Sequence, residues 1–350
     1  MAVPSFSQFL DNLYTTTWQS RMEGTADNVF NATPFYFWLR DKKKLKPQRG
    51  GRFIEEQLEY AANNQISWLQ KGSVVDLSDY EFLTIAQYQW RYLAASMVRF
   101  GIDDQQNAGK ARIISLMNAK MDNTEQALVT EFESRLCGAA GTQTSGTTTA
   151  QAPAFDGLFA LVSSTPGGSL GTAGNPIAVG GIDSSQATFA WWRNQAQTMA
   201  GVSFASSGLQ YMRHLLNQCM NNRREDRPDF FLSDQTTYEY YEGIVVQDLR
   251  FYNRKLADAG FENQSFKGIP WVWTPVLNGT TVNGVAGGFI FMLNTNFLSL
   301  VYDPASWFDM TEWKPIPDQV NDRAAQIISS CTLTTNRRRV QGLLYSINTP

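Results

Sequence analysis

The stretch that most constrains the fold is RFIEEQLEYAANNQISWLQKG, from Arg52 to Gly72, answered from Phe82 by FLTIAQYQWRYLAASMVRF. Phe82, Ala86, Tyr88, Trp90 and Tyr92 alternate with Gln87, Gln89 and Arg91, the period of a half-buried strand. The pair predicts a long β-hairpin with its far end around Lys71–Asp79. Strands of about 10–15 residues would reach some 33–50 Å. A two-stranded hairpin is marginal by itself in water, so the aromatic face needs a cover. The rest of the chain offers no spare surface for one, and a second copy of the chain is the expected partner. On this reading the contact residues are Arg52, Glu55, Glu59, Trp68, Lys71, Asp76, Tyr88, Trp90, Arg91 and Tyr92, together with the basic run of Lys42, Lys43 and Lys44.

Composition removes several alternatives. The 350 residues are 17% charged and 13% aromatic, the profile of a folded, contact-rich chain. A formal net charge of -3 argues against a protein held to nucleic acid by phosphate contacts. The opening MAVPSFSQFLDNLY lacks the basic start and apolar run of a signal peptide, and no stretch reaches the roughly 18 apolar residues of a membrane span. Cys137, Cys219 and Cys331 are far apart in apolar patterns and read as buried free thiols of a reducing compartment.

Recognisable chemistry is missing. The single histidine, His214, lies in the helical pattern LQYMRHLLNQCM with no nucleophile signature beside it. No phosphate-binding loop, CxxC or HExxH occurs. No catalytic residue, cofactor or metal is expected. Carboxylate pairs such as Glu55-Glu56 and Asp103-Asp104 are ordinary. Arg337-Arg338-Arg339 reads as the exposed turn of a C-terminal hairpin, and Trp191-Trp192 and Trp271/Trp273 as core or interface.

Along the chain, residues 1–47 read as an irregular arm whose Pro4, Pro34 and Pro47 discourage a long helix. After the hairpin, Asp103 or Asp104 is an N-cap candidate. Ile113, Leu116, Met117, Met121, Leu128, Phe132 and Leu136 then recur at helical steps up to Gly138. A helix of some thirty residues would be about 45–50 Å long. A loop of small residues, the short helix FDGLFALVSS, a strand-like SSQATFAWWRNQAQT and a helix after Ser206-Ser207 follow. Next come the strand PDFFLSD with Asp234 placed to cap TTYEYYEGIVV, and a β-rich remainder from FKGIPWVWTPV to RVQGLLYSI. The class is α+β, with segregated helices and mainly antiparallel strands.

This order, an arm, a long hairpin after Gly50-Gly51, a long helix, GGIDSSQATFAWWRN, RPDFFLSDQTTYEYYE, SFKGIPWVWTPV and FIFMLNTNFLSLVYDP, resembles the major capsid protein of tailed bacteriophages, the Hong Kong 97-type fold. The resemblance covers nearly the whole chain and rests on element order. It implies an N-terminal arm at 1–47, an extended loop at 48–100, and a peripheral domain at 101–205 with a spine helix at about 103–137. An axial domain at 206–305 and returning strands at 306–350 complete the assignment. It also implies a structural, non-enzymatic protein that self-assembles into hexamers and pentamers, forming an icosahedral head around double-stranded DNA bound without sequence specificity. Portal, scaffold and decoration proteins would be its partners. The location implied is the virion, after synthesis and assembly in the host cytoplasm. The chain opens directly on its arm, so a separate scaffold, or none, is expected. The alternative is an encapsulin-like compartment enclosing a cargo enzyme, which usually carries a shorter loop and arm.

Overall fold

Pro34 begins a helix instead of preventing one. A computed structural model describes residues 34–61, 65–66, 68–74, 79, 81–101, 110–138, 155–168, 178–220, 226–245, 263–278, 287–317 and 322–347. Its first element is helix α1, Pro34–Asp41. Proline suits a first turn, where its missing N–H has no intrahelical partner. Phe35, Tyr36, Trp38 and Leu39 of this helix are buried. Trp38 stacks on Phe230 at 5.1 Å between ring centroids and Tyr36 meets Phe132 edge-on at 5.9 Å. The arm is thus not irregular throughout: residues 34–47 are docked, and residues 1–33 lie outside the described residues. A tight turn with Lys43 at φ 56° leads into strand β1, Leu45–Pro47, which pairs in parallel with β10, Leu298–Tyr302.

Two six-stranded sheets organise the molecule. In the first, β13 (Arg323–Thr335) is the axis. Its C-terminal part pairs with β10 and its N-terminal part with β4, Arg91–Arg99, and with the short β11, Asp309–Met310, and β12, Lys314–Pro315. The second sheet runs β5 (Gln195–Thr198), β14 (Gly342–Ile347), β9 (Gly288–Leu293), β6 (Phe230–Ser233), β8 (Ile269–Trp273) and β7 (Gln264–Phe266). Its central strands FFLS and GFIFML are buried at every position, as strands covered on both faces must be. Alternation then sorts their side chains between two cores. Phe230, Leu232, Phe289, Phe291 and Leu343 join the core shared with the first sheet. Phe231, Ile290, Met292 and Leu344 join the core under helices α4, Phe204–Cys219, and α5, Gln235–Val245.

The long helix is α2, Lys110–Cys137, 28 residues and so about 42 Å at 1.5 Å per residue. Met121, Leu128, Phe132 and Leu136 are buried along one stripe. Gly138 at φ 70° ends it, its N–H donating to the Arg135 carbonyl at 3.0 Å, a left-handed terminus that glycine adopts without a Cβ penalty. The proposed caps Asp103 and Asp104 fall outside the described residues. A one-turn helix, α3 (Leu158–Leu161), packs beside α2.

Three expectations fail for reasons of tertiary packing. The strand-like SSQATFAWW is a 3₁₀ helix at Ala187–Trp192, whose Trp192 is buried and donates Nε1–H to the Val179 carbonyl at 3.0 Å. The last two runs are not a hairpin, because β13 and β14 belong to different sheets. The arginine triplet between them is therefore not an exposed turn. Arg338 is 1% exposed, and its guanidinium donates to the carbonyls of Leu161 at 2.5 Å and Ala160 at 3.4 Å and to Ser184 Oγ at 3.3 Å. It satisfies the open end of α3 and ties it to the inter-sheet crossing. Burial lowers its pKa to about 10. Arg337 pairs with the buried Asp226 at 2.7 Å.

Candidate functional site

The hairpin exists, but its strands are short. β2, Phe53–Glu59, and β3, Leu83–Gln89, pair antiparallel over seven residues each. At Trp90 the chain leaves this ribbon, and β4 continues in the first sheet. The long run from Phe82 is thus two strands with different partners. Gly50 and Gly51, at φ 67° and 97°, make the corresponding corner on the entering side, a left-handed pair that side chains resist.

The ribbon's inward face is not waiting for another subunit. Ile54, Leu58, Ala86 and Tyr88 are buried within the chain itself. The Tyr88 hydroxyl donates to the Thr335 carbonyl at 2.8 Å and accepts from the Thr335 N–H at 3.3 Å. The Gln87 N–H donates to the Gly180 carbonyl at 2.9 Å. Gly180 sits so close that a Cβ there would lie 2.7 Å from that of Ala86. Thr332 Oγ1 donates to the Gln89 carbonyl at 2.7 Å, and Thr334 Oγ1 to Glu56 at 3.1 Å. Tyr88 is therefore a private core residue, which corrects its assignment as an intersubunit contact. Trp90 is half-buried and packs against the same core, so it too leans on its own chain. The aromatic face is covered because the ribbon's base lies on the seam of the two sheets, a surface visible only once the chain is folded.

What is exposed is the other face and the tip. Trp68 is 103% exposed, and Ile66, Leu69 and Val74 are exposed with it. Leu83, at 57%, and Ile85, at 48%, stand on the ribbon's outward face. There the ladder sets them opposite Glu59 and Gln57, with Glu55 opposite Gln87. Tyr92, at 72%, and Phe100 extend this exposure along β4. Among the described residues, the exposed large apolar side chains fall between 66 and 100, apart from Met220. Such clustering marks an interaction surface in a folded protein. Ile66, Leu69, Val74, Leu83, Ile85 and Phe100 were not singled out from the sequence. A signal was there for two of them: Leu83 and Ile85 share a strand with Ala86 and Tyr88 at opposite parity, so one set had to face out.

The remaining contact candidates divide. Lys71 is exposed at the tip, Glu55 and Glu59 on the outward face, and Arg52 at the ribbon's entry, 5.2 Å from the Phe53 ring. Arg91 is half-buried in β4, where the ladder sets it opposite Cys331 of β13. Asp76 lies outside the described residues. Lys42 sits 4.7 Å over the Trp38 ring and Lys44 Nζ donates to the Asn296 carbonyl at 3.3 Å. These two lysines are tied to their own chain, while Lys43 is exposed.

No arrangement for chemistry is assembled among the described residues. No group of three His, Cys, Asp or Glu side chains is gathered that could hold a metal ion. His214 is exposed on α4, 2.9 Å from Gln218 one turn on. The three cysteines are free and buried; burial raises all three thiols, Cys331 to about 12. Glu133 of α2 is buried, and Thr274 Oγ1 donates to it at 2.6 Å. Desolvation raises its pKa, and the Thr274 hydrogen bond offsets this in part. It is a strut between α2 and the end of β8. No helix among the described residues is long and apolar enough to cross a membrane.

Among solved structures, the chain is similar to a protein of the cyanophage A-1(L) capsid asymmetric unit, with a TM-score of 0.55 and 15% identity over 87% of this chain and 91% of that one. It is similar to one from the capsid of a native GTA particle, at 0.51 and 11%, covering 89% and 90%. It is also similar to one from the capsid of Myoviridae phage XM1, at 0.51 and 10%, covering 88% and 91%. No family model matches the sequence, and no curated protein matches it. The fold is that of phage capsid proteins, α+β and of the Hong Kong 97 type.

Proposed function

We propose that this chain is the major capsid protein of a tailed phage, a structural protein that assembles into hexamers and pentamers of an icosahedral head enclosing double-stranded DNA. The observation that carries the reading is the likeness to capsid proteins over about nine-tenths of both chains. The exposed loop adds a physical reason for assembly. A single chain that leaves Trp68, Leu69, Leu83, Ile85 and Tyr92 in water gains roughly 25 cal/mol per Å² of apolar area when a neighbour covers them, less the cost of ordering the loop. Repeated around a shell, a modest contact suffices. In this reading residues 1–47 form the arm, 48–100 the extended loop, 101–205 the peripheral domain, 206–305 the axial domain and 306–350 the returning strands. Arg52, Glu55, Glu59, Trp68, Lys71, Arg91, Tyr92 and Lys43 remain contact candidates. A portal and a scaffold are its expected partners, and the virion its location. Near-neutral charge fits a wall that must not grip DNA during packaging.

Electron microscopy of the expressed protein, alone and with the products of its neighbouring genes, tests the reading. Icosahedral shells that protect double-stranded DNA from nuclease are expected. Stable monomer under every assembly condition would overturn it, and shells holding an enzyme instead of DNA would point to a compartment of the encapsulin kind.

A further inference from the structure

The tip of the hairpin and the outward face of its ribbon are two separate apolar exposures on one chain, and they carry opposite charge. The tip presents Trp68 and Leu69 beside Lys71. The outward face presents Leu83 and Ile85, edged by Glu55 and Glu59 of the paired strand. Neither covers the other within the chain, since Trp68 is 103% and Leu83 57% exposed. Resting on the capsid reading, we propose that the tip of one copy docks on the outward ribbon face of the next copy. Trp68 and Leu69 lie on Leu83 and Ile85, and Lys71 turns toward Glu55 and Glu59.

A second copy is the occupant that the surfaces select. Donor and acceptor are present once each in every chain, so a head-to-tail contact repeats from copy to copy, and a ring closes when the rotation allows it. In a closed ring every tip and every face is covered. The charges fix direction more than strength: exposed ion pairs contribute little to affinity, but a reversed or slipped docking would set like charges together. DNA fits this face poorly, because its phosphates would meet the two glutamates. The inward face cannot be the acceptor, since Ala86 and Tyr88 are already covered by the chain's own core.

The test is a Trp68→Cys/Ile85→Cys double variant, assembled and then oxidised with copper phenanthroline. Both positions are exposed, and the native Cys137, Cys219 and Cys331 are buried, so the introduced thiols are the ones that react. A ladder of covalent oligomers on a denaturing gel, absent from either single variant, is expected. Shells that form without a ladder, or tips joined to a different protein, overturn the docking while leaving the capsid reading in place. A wild-type chain that never assembles overturns both. A second measurement needs no substitution: copies with ordinary and heavy nitrogen are co-assembled and treated with a carbodiimide, which joins an amine to a carboxylate with loss of water. Isotope-mixed peptides linking Lys71 to Glu55 or Glu59 are expected, and Lys71 linked only to other carboxylates, or to none, overturns the proposal.

Discussion

At the scale of single residues, the buried polar groups are where the fold is most specific. The Tyr88 hydroxyl holds both backbone groups of Thr335, so Tyr88→Phe leaves a buried donor and acceptor without it. A loss of about 1–3 kcal/mol is expected in denaturant unfolding. Glu133 gives a prediction with a pH sign. Its folded pKa is raised, so the native state binds more protons than the unfolded chain above the ordinary Glu value near 4.3, and stability falls as pH rises through that window. Glu133→Gln keeps an oxygen for the Thr274 hydroxyl without the ionisation. The variant is therefore expected to match wild type below about pH 4 and to exceed it at neutral pH. An equal difference at both pH values would show that the carboxyl's charge is not what the site resists. None of this was legible beforehand. Glu133 sat on a helix in a pattern common to exposed glutamates, and its partner is 141 positions away.

At the scale of elements, the ribbon has a base and a tip with different duties. Ile54, Leu58, Ala86 and Tyr88 clamp the base to the sheets, while Trp68 and its neighbours stand clear. Leu58→Ala should lower the melting stability of the free chain by about 2–5 kcal/mol. Trp68→Ala should leave it within about 0.5 kcal/mol and weaken assembly, read by sedimentation. A Trp68→Ala chain that melts early would mean the tip is folded back on its own core. The element also shows how a correct period can mislead. The alternation from Phe82 to Tyr92 is real, yet it runs through a change of partner at Trp90. Side-chain parity reports which faces a strand has, and says nothing of which strand lies beside it or whose surface covers it.

At the scale of the whole molecule, the buried thiols report cooperative unfolding. Cys137 and Cys331 lie in the core shared by the two sheets and Cys219 in the core beneath α4 and α5. Burial raises all three thiol pKa values, Cys331 to about 12. Their contribution is therefore present below the unfolded value near 8.5 and is lost as pH rises above it. Each thiol adds up to about 1.4 kcal/mol per pH unit to that loss. Native protein at about pH 8, below that unfolded thiol value, should resist a thiol reagent, and all three cysteines should react together once denaturant unfolds the chain. Reaction of Cys219 alone at low denaturant would show that the two cores open separately.

What the sequence determined by itself is what local chemistry carries. The 28-residue helix ending at Gly138 follows from its apolar stripe and its left-handed stop. The strand at Phe230 and the helix capped by Asp234, which accepts from the Thr237 N–H at 3.1 Å, follow from run length and capping. The order of these elements was enough to suggest the capsid fold. Tertiary structure alone decided the rest. It sent β13 and β14 to different sheets, buried Arg338 where a triplet of arginines looked like a wet turn, and turned Tyr88 inward while leaving Leu83 and Ile85 in water. The physical reason is common to all three. Periodicity and capping act over a few residues, whereas the cover on a strand's face and the partner of a buried charge are supplied by segments distant in the chain.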